Sequence, residues 1–323
     1  MDPLNIWINQ PFPDNIKTLL TESAAPHRLT FSARPIASLV SAGQPDPAAH
    51  AADVLYGQPD PADVLASPNL QWVQLTSAGY TRYDDLAFLK TLRERGVAFC
   101  NASGVFDEPC AQHVMAFLLS LARSLPLATA VQPTGQWNQV AIRQASFLLR
   151  RQKTLIVGYG AIARRLIEML APYNLHLVAF RRTVRGDEGV RTLPIEELDA
   201  HLPTAQIVIN LLPASPSTRG LFGSAQFAKL PRDAIYINIG RGDTTDQPAL
   251  LDALTGGRLA HAYLDVTTPE PLPPDHPLWR APNCHITPHT AGGTVDELMR
   301  LAEHFLENLR RFTRGDAMLD RIV

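Results

Sequence analysis

The sequence predicts an α/β protein of two domains with parallel strands, and three observations carry that prediction. At 323 residues the chain exceeds what one hydrophobic core usually serves. Short apolar runs alternate with stretches of helical spacing, the order that gives a parallel sheet with right-handed crossovers. A glycine-rich turn, Gly158-Tyr159-Gly160-Ala161-Ile162-Ala163, follows one such run directly and opens a helix.

The elements follow in order. In the N-terminal third, Ile6-Trp7-Ile8, Asp53-Val54-Leu55-Tyr56-Gly57 and Leu70-Gln71-Trp72-Val73-Gln74-Leu75 read as buried strands of a small α/β domain. The Pro- and Ala-rich residues 42–52 between them read as a surface loop. Residues 108–127 keep helical spacing, with Pro109 suited to a first turn and Pro126 marking the end. A polar stretch with Gly135 and Trp137 leads to Thr154-Leu155-Ile156-Val157, a strand buried on both faces. Residues 175–180, 206–212, 234–239, 261–265 and 284–287 are the later strands, and a helix over 295–314 is expected to return to the first domain.

Composition narrows the function classes. Apolar content of 46% and charged content of 19% fit an ordinary globular protein, and a net charge of −2 gives no reason to expect nucleic acid or an anionic membrane as partner. The first residues lack the basic and apolar regions of a secretory signal, and the most apolar helical stretch meets Arg123 before it could cross a bilayer. Cys100, Cys110 and Cys284 have no metal-like spacing and suit a reducing cytoplasm, so no metal is expected.

The glycine-rich turn has the context of a dinucleotide site. Gly158 allows the tight turn, Gly160 lets a pyrophosphate approach the backbone, and Ala163 lets the helix pack against the strand. The free amides at the helix start, those of Ala161 and Ile162, then receive phosphate charge. An NAD site normally places a carboxylate about 20 residues beyond the glycines. This chain has Phe180-Arg181-Arg182-Thr183 there, and two guanidinium groups with a hydroxyl suit a ribose phosphate. NADP is therefore the preferred cofactor, with NAD the alternative.

Three further segments carry one cation, one carboxylate and one imidazole. Arg241 lies in Asn238-Ile239-Gly240-Arg241-Gly242, Glu270 in Thr268-Pro269-Glu270-Pro271, and His289 in Thr287-Pro288-His289-Thr290. A guanidinium can fork onto a carboxylate, and a histidine steadied by a carboxylate can exchange a proton with an oxygen that changes hybridisation. Alone, each reads more readily as a loop or surface residue. Behind a dinucleotide turn and in this order, they read as a catalytic set.

With Ser77-Ala78-Gly79, Ala111-Gln112-His113 and the run Leu212-Pro213-Ala214-Ser215-Pro216-Ser217-Thr218-Arg219-Gly220-Leu221, the chain resembles the D-isomer-specific 2-hydroxyacid dehydrogenases over nearly its whole length. The resemblance implies two Rossmann-like domains with doubly wound parallel sheets and the active site in the interdomain cleft. The expected division is a discontinuous substrate-binding domain, residues 1–103 and 292–323, and a dinucleotide-binding domain, residues 104–291. It also implies that Arg241 holds the substrate carboxylate, His289 is the acid/base, Glu270 bonds His289, and the amides of Ala78 and Gly79 form a second carboxylate grip. Asp265 would stand near the nicotinamide carboxamide, with capping as its bland alternative. Leu212, Pro213, Thr218, Ile239, Gly240 and Gly292 complete the expected cofactor contacts.

The sequence departs from the family at Gln112, at Ala163, and at residues 149–153, where a usual glycine is missing. His113 reads as a buried hydrogen-bonded residue. Trp137 is either core or, as in some glyoxylate/hydroxypyruvate reductases, a residue lining a neighbour's active site. The expected activity is reduction of a small 2-oxo acid, glyoxylate or hydroxypyruvate in character, by a cytoplasmic homodimer. Phosphoglycerate or another D-2-hydroxy acid is the alternative substrate. Formate is argued against, because formate dehydrogenases of this family carry glutamine at the place of Glu270. A dinucleotide-sensing binding protein without turnover is the alternative of another class.

Overall fold

The computed structural model describes residues 2–37 and 41–323. Contacts between Cα atoms divide the chain into two compact units, one of residues 1–106 and 293–323 and the other of residues 107–292.

The first unit is a five-stranded sheet in the order β2-β1-β3-β4-β5, all parallel. Its strands are β1 (Asn5–Ile8), β2 (Arg28–Phe31), β3 (Val54–Gly57), β4 (Trp72–Leu75) and β5 (Ala98–Cys100), and its short helices are α1 (Asp14–Ser23), α2 (Pro61–Ala66) and α3 (Leu86–Glu94). Alternate side chains of each strand feed two cores, as the period of a strand requires. Ile6, Ile8, Val54, Tyr56 and Trp72 pack with Ile16 and Leu20 of α1, while Trp7, Leu55, Val73 and Leu75 pack with Val64 of α2 and with Phe88 and Leu92 of α3.

The last helix, Glu297–Arg314, also belongs to this unit. It buries Leu301, Ala302, Phe305, Leu306 and Leu309, and Phe305 stacks on Tyr56 with ring centroids 4.1 Å apart and on Trp72 at 5.2 Å. Its Asn308 donates to Gln74 Oε1 at 2.8 Å, and its Leu301 carbonyl accepts from the Tyr56 hydroxyl at 2.8 Å.

The long helix α4 spans Ser103–Ala122, starting five residues before the expected 108. Polar groups ahead of it explain the early start. The Asn101 side chain accepts from the Ser103 amide at 3.1 Å, and Asp320 accepts from the Gly104 amide at 2.7 Å, so amides that a helix start leaves orphaned are satisfied. Pro109 thus lies inside the helix rather than in its first turn. Proline has no N–H for the Val105 carbonyl; the Arg300 guanidinium donates to that carbonyl instead. The helix ends before Pro126, at Ser124 in the left-handed conformation, and Pro126 instead occupies the first turn of α5 (Leu125–Val131).

Beyond α6 (Gln139–Ala145), the second unit holds β6 (Lys153–Val157), α7 (Ala161–Leu170), β7 (His176–Arg181), β8 (Thr192–Pro194), α8 (Leu198–His201) and β9 (Ile207–Asn210). It continues with α9 (Ser224–Lys229), β10 (Ile235–Asn238), α10 (Gln247–Thr255), β11 (His261–Leu264) and β12 (Cys284–Ile286); the final helix is then α11. All seven strands are parallel, in the order β12-β11-β10-β9-β6-β7-β8. The order reverses between β6 and β9, which makes their carboxyl ends a switch point, where ligands bind in open α/β sheets. Among the described residues no single helix is long and apolar enough to cross a membrane, and only the bent pair α4 with residues 125–134 reaches that length and composition together.

Candidate active site

Every expected cofactor or catalytic residue of the second unit lies at or beyond the carboxyl end of a strand. The glycine-rich turn follows β6, Arg181 ends β7, Leu212 follows β9, Arg241 follows β10, Asp265 follows β11, and His289 follows β12. Ala78 and Gly79 belong to the first unit, on the loop after β4, where the Asn101 side chain donates to the Ala78 carbonyl at 2.6 Å and the Ser77 hydroxyl to the Gly79 carbonyl at 2.6 Å.

Gly158 has φ +103°, and a Cβ there would stand 2.9 Å from the Leu211 carbonyl carbon. The position therefore excludes a side chain twice, by conformation and by space. Gly160 caps α7, and a Cβ added to it would meet nothing within 4 Å. That open side of Gly160, at the N-terminus of α7, fits the approach of a pyrophosphate to a helix start. Ala163 is fully buried, as close helix–strand packing requires.

The two arginines at the end of β7, Arg181 and Arg182, differ in environment. Arg181 pairs with Glu188 at 2.9 Å, lies over the Tyr159 ring at 5.4 Å, and is largely covered. Glu188 also accepts from the Arg185 and Gly186 amides at 2.8 Å each, and Tyr159 donates to its carbonyl. These bonds, the Arg185 amide foremost, hold the Glu188 carboxyl below the usual carboxylate range despite its burial. Arg181 thus has its counter-charge within the chain, while Arg182 and Thr183 are exposed.

Two buried asparagines hold the next loops. Asn210 ends β9 and Asn238 ends β10, in register with each other. Asn210 accepts from the Leu212 amide at 3.1 Å and donates to Tyr236 and Thr244; Asn238 accepts from the Gly240 amide at 2.9 Å and donates to the Arg241 carbonyl at 3.1 Å. The loops carrying Leu212, Ile239, Gly240 and Arg241 are thereby fixed from beneath. Thr218 donates to the Pro213 carbonyl at 2.7 Å, closing its own loop. In the sequence neither asparagine stood out as a loop anchor, although the repeat Ile-Val-Ile-Asn and Ile-Tyr-Ile-Asn at two apolar strand ends is the signal that marks them.

His289 and Glu270 meet. His289 Nδ1 stands 2.8 Å from Glu270 Oε2, and Glu270 Oε1 accepts from the Thr267 amide at 2.9 Å. A carboxylate only accepts, so Nδ1 carries hydrogen and Nε2 is the edge left for a ligand. The Glu270 bond raises the His289 pKa above its usual 6.5, against burial and the Arg241 charge, which lower it. Burial alone would raise the Glu270 carboxyl, but the bond to His289, the Thr267 amide and Arg241 bring it below 4.5. Arg241 is near enough for its charge to act on both, and its guanidinium donates to the Gly240 carbonyl at 2.7 Å.

The His289 turn has an unusual support. His289 takes φ +54°, a conformation few non-glycine residues adopt. Its amide donates to the Asp265 carbonyl at 2.8 Å. Asp265 is buried, 3% exposed, and its carboxylate accepts from the Thr290 and Ala291 amides at 2.9 and 3.0 Å and from the Thr287 hydroxyl at 2.5 Å. Asp265 therefore builds the turn that carries His289; no helix is capped by it. Gly292 lies just beyond that turn, half-buried. Trp137 is 91% exposed, which removes the reading of it as core.

The family model "D-isomer specific 2-hydroxyacid dehydrogenase, NAD binding domain" matches residues 115–291. The chain is 32% identical over 259 residues to a glyoxylate reductase/hydroxypyruvate reductase of Mus musculus, covering 78% of this chain and 77% of that protein. It is 30% identical over 256 residues to a mitochondrial formate dehydrogenase of Solanum tuberosum, covering 78% of this chain and 66% of that one. Among solved structures, an NADPH-dependent glyoxylate/hydroxypyruvate reductase of Sinorhizobium meliloti, in complex with NADP and sulfate, superposes with a TM-score of 0.77 at 25% identity over 99% of this chain and 98% of that one.

Proposed function

Because the chain belongs to the D-isomer-specific 2-hydroxyacid dehydrogenases, we propose that it reduces a small 2-oxo acid of glyoxylate or hydroxypyruvate type to the D-2-hydroxy acid, with NADPH preferred. The observation that carries this is the His289–Glu270 pair at 2.8 Å, with His289 Nε2 left open. The bond to Glu270 raises the His289 pKa and so favours the protonated imidazolium. Arg241 orients the substrate by its carboxylate, and its fixed charge draws electron density toward the carbonyl oxygen. His289 Nε2 delivers a proton to that oxygen as the carbonyl carbon gains hydride, and the paired Glu270 stabilises the charge His289 carries beforehand. Gly160, Ala161 and Ile162 would hold the pyrophosphate of a reduced dinucleotide, whose chemistry there would be hydride donation.

Glu270 also separates this reading from formate oxidation. Formate gives up hydride with no proton to shuttle, so a carboxylate bonded to the histidine has no task there. The preference for NADPH is supported by exposed Arg182 and Thr183 just past β7; the nearby Glu188 carboxylate is bound to Arg181 and to the Arg185 and Gly186 amides. The same solvent-facing character in the α5–α6 segment, with Trp137, Val140, Leu125 and Leu127 exposed, supports a homodimer.

The test is NADPH and NADH consumption with a panel of 2-oxo acids, glyoxylate and hydroxypyruvate included, for the protein and its His289→Ala variant. The variant is expected to lose at least about a hundredfold in kcat while binding cofactor normally. Near-normal turnover by the variant, or no oxidation with any 2-oxo acid despite tight cofactor binding, would overturn the reading.

A further inference from the structure

The buried Asp265 carboxylate is the start of a hydrogen-bonded chain that leaves the reacting edge and ends on helix α4. Its Oδ1 accepts from the Thr287 hydroxyl at 2.5 Å. The Thr287 oxygen lies 2.6 Å from the Tyr263 hydroxyl, and Tyr263 in turn meets His113 Nε2, which also stands 3.3 Å from Thr287 and 3.8 Å from Asp265 Oδ1.

The direction of every bond in the chain follows from its first member. A carboxylate has no hydrogen, so Thr287 donates to Asp265. A hydroxyl has one hydrogen, so Thr287 must accept from Tyr263. Tyr263 has then spent its own, so it must accept from His113, whose Nε2 therefore bears hydrogen. The Tyr263 ring is held by Phe117, stacked on it with centroids 3.6 Å apart. Burial pushes the Tyr263 hydroxyl well above its usual range, which keeps it a donor at every working pH.

We propose that His113 is a positioning residue for His289: as the terminal donor of the relay His113–Tyr263–Thr287–Asp265, it fixes the turn at 287–291 that holds the His289 backbone at positive φ with its ring against Glu270. This rests on the reading of His289 as the acid/base. The relay reaches His289 from behind, through its backbone: the Asp265 carbonyl takes the His289 amide, and the Asp265 carboxylate takes the two amides that follow. A backbone at φ +54° persists only where its surroundings over-determine it, and the relay supplies that.

The charged groups that act on the His289 imidazole are Glu270, bonded to its Nδ1, and Arg241 and Asp265 through their charge. Should the turn slacken, the bond to Glu270 weakens first, and the imidazole titrates nearer its unperturbed value. His113→Leu removes the donor at similar volume, His113→Gln keeps an N–H donor, and Tyr263→Phe removes the middle link while keeping the ring. Each is to be read by kcat and by histidine-resolved NMR titration, which needs no turnover. His113→Leu and Tyr263→Phe are expected to lower kcat about tenfold and to move the His289 titration down toward 6.5, with cofactor affinity unchanged and His113→Gln close to wild type. An unmoved His289 titration with full kcat in His113→Leu would overturn the proposal, as would a Gln variant as impaired as the Leu one. If His113→Leu fails to fold, Tyr263→Phe decides by the same two readouts. Failure of the underlying reading is separate: it shows as normal turnover in His289→Ala.

Discussion

At the scale of single residues, the proposed role of His289 makes a pH prediction. If His289 is the proton donor, kcat/KM should be highest on the acid side and fall as pH rises through a pKa that the Glu270 bond raises from its usual 6.5. Glu270→Gln retains a bond but removes the charge, and the descending limb is expected to move down toward 6.5; the loss against wild type is then larger at pH 8 than at pH 6. Equal losses at both values would show that Glu270 only orients the ring. The two arginines after β7 make a second residue-scale prediction. Arg182→Ala is expected to lower kcat/KM for NADPH about ten- to a hundredfold, the worth of one charge-assisted bond, with little effect on NADH. Arg181→Ala instead strands the buried Glu188 and should cost stability with either cofactor. The reverse pattern would give the phosphate to Arg181. Sequence alone placed both arginines at the right strand end but not their division, because Glu188 reaches Arg181 only through the loop geometry of residues 182–188.

At the scale of elements, the strands were most legible where they are buried on both faces, as in β6, β9 and β10, whose residues read as unbroken apolar runs. Strands β2 and β8 escaped because they lie on sheet edges, are short, and are only partly buried; β5 escaped because its Ala98-Phe99-Cys100 is too brief to show a period. The start of α4 was misplaced because its caps come from Asn101 and, across the sequence, from Asp320. One local departure was legible and has a measurable cost. Within 149–153, where the family's usual glycine is missing, Arg151 takes φ +67° in the turn before β6 and donates its amide to the Asn174 carbonyl at 3.0 Å. The left-handed conformation costs a side-chain-bearing residue about 1–2 kcal/mol, and glycine returns about 0.5–1 kcal/mol of that in chain entropy. Arg151→Gly should therefore raise Tm by about 1–2 °C without changing kcat. A lowered Tm would mean that the Arg151 side chain contributes more than its backbone costs.

At the scale of the whole molecule, the exposed apolar side chains are unevenly placed. Leu125 (51% exposed), Trp137 (91%) and Val140 (65%) occur within a short stretch of chain directly after the buried α4. Scattered singly, such residues need no explanation; gathered in one segment, they carry a hydration cost that a second copy of the chain would remove. In the proposed homodimer they would be buried symmetrically, so each change would be felt twice at the same interface. Light scattering on a size-exclusion column is expected to give twice the 35.5 kDa chain mass, and a chain carrying both Trp137→Asp and Val140→Asp is expected to elute at the single-chain mass with its far-UV dichroism intact. The double variant also bears on the active site. If Trp137 only seals the interface, the isolated chain keeps its KM for the 2-oxo acid; if it completes a neighbour's substrate pocket, KM rises while cofactor affinity holds. A wild-type chain already at 35.5 kDa across the micromolar range would remove the dimer and leave that apolar segment without a partner.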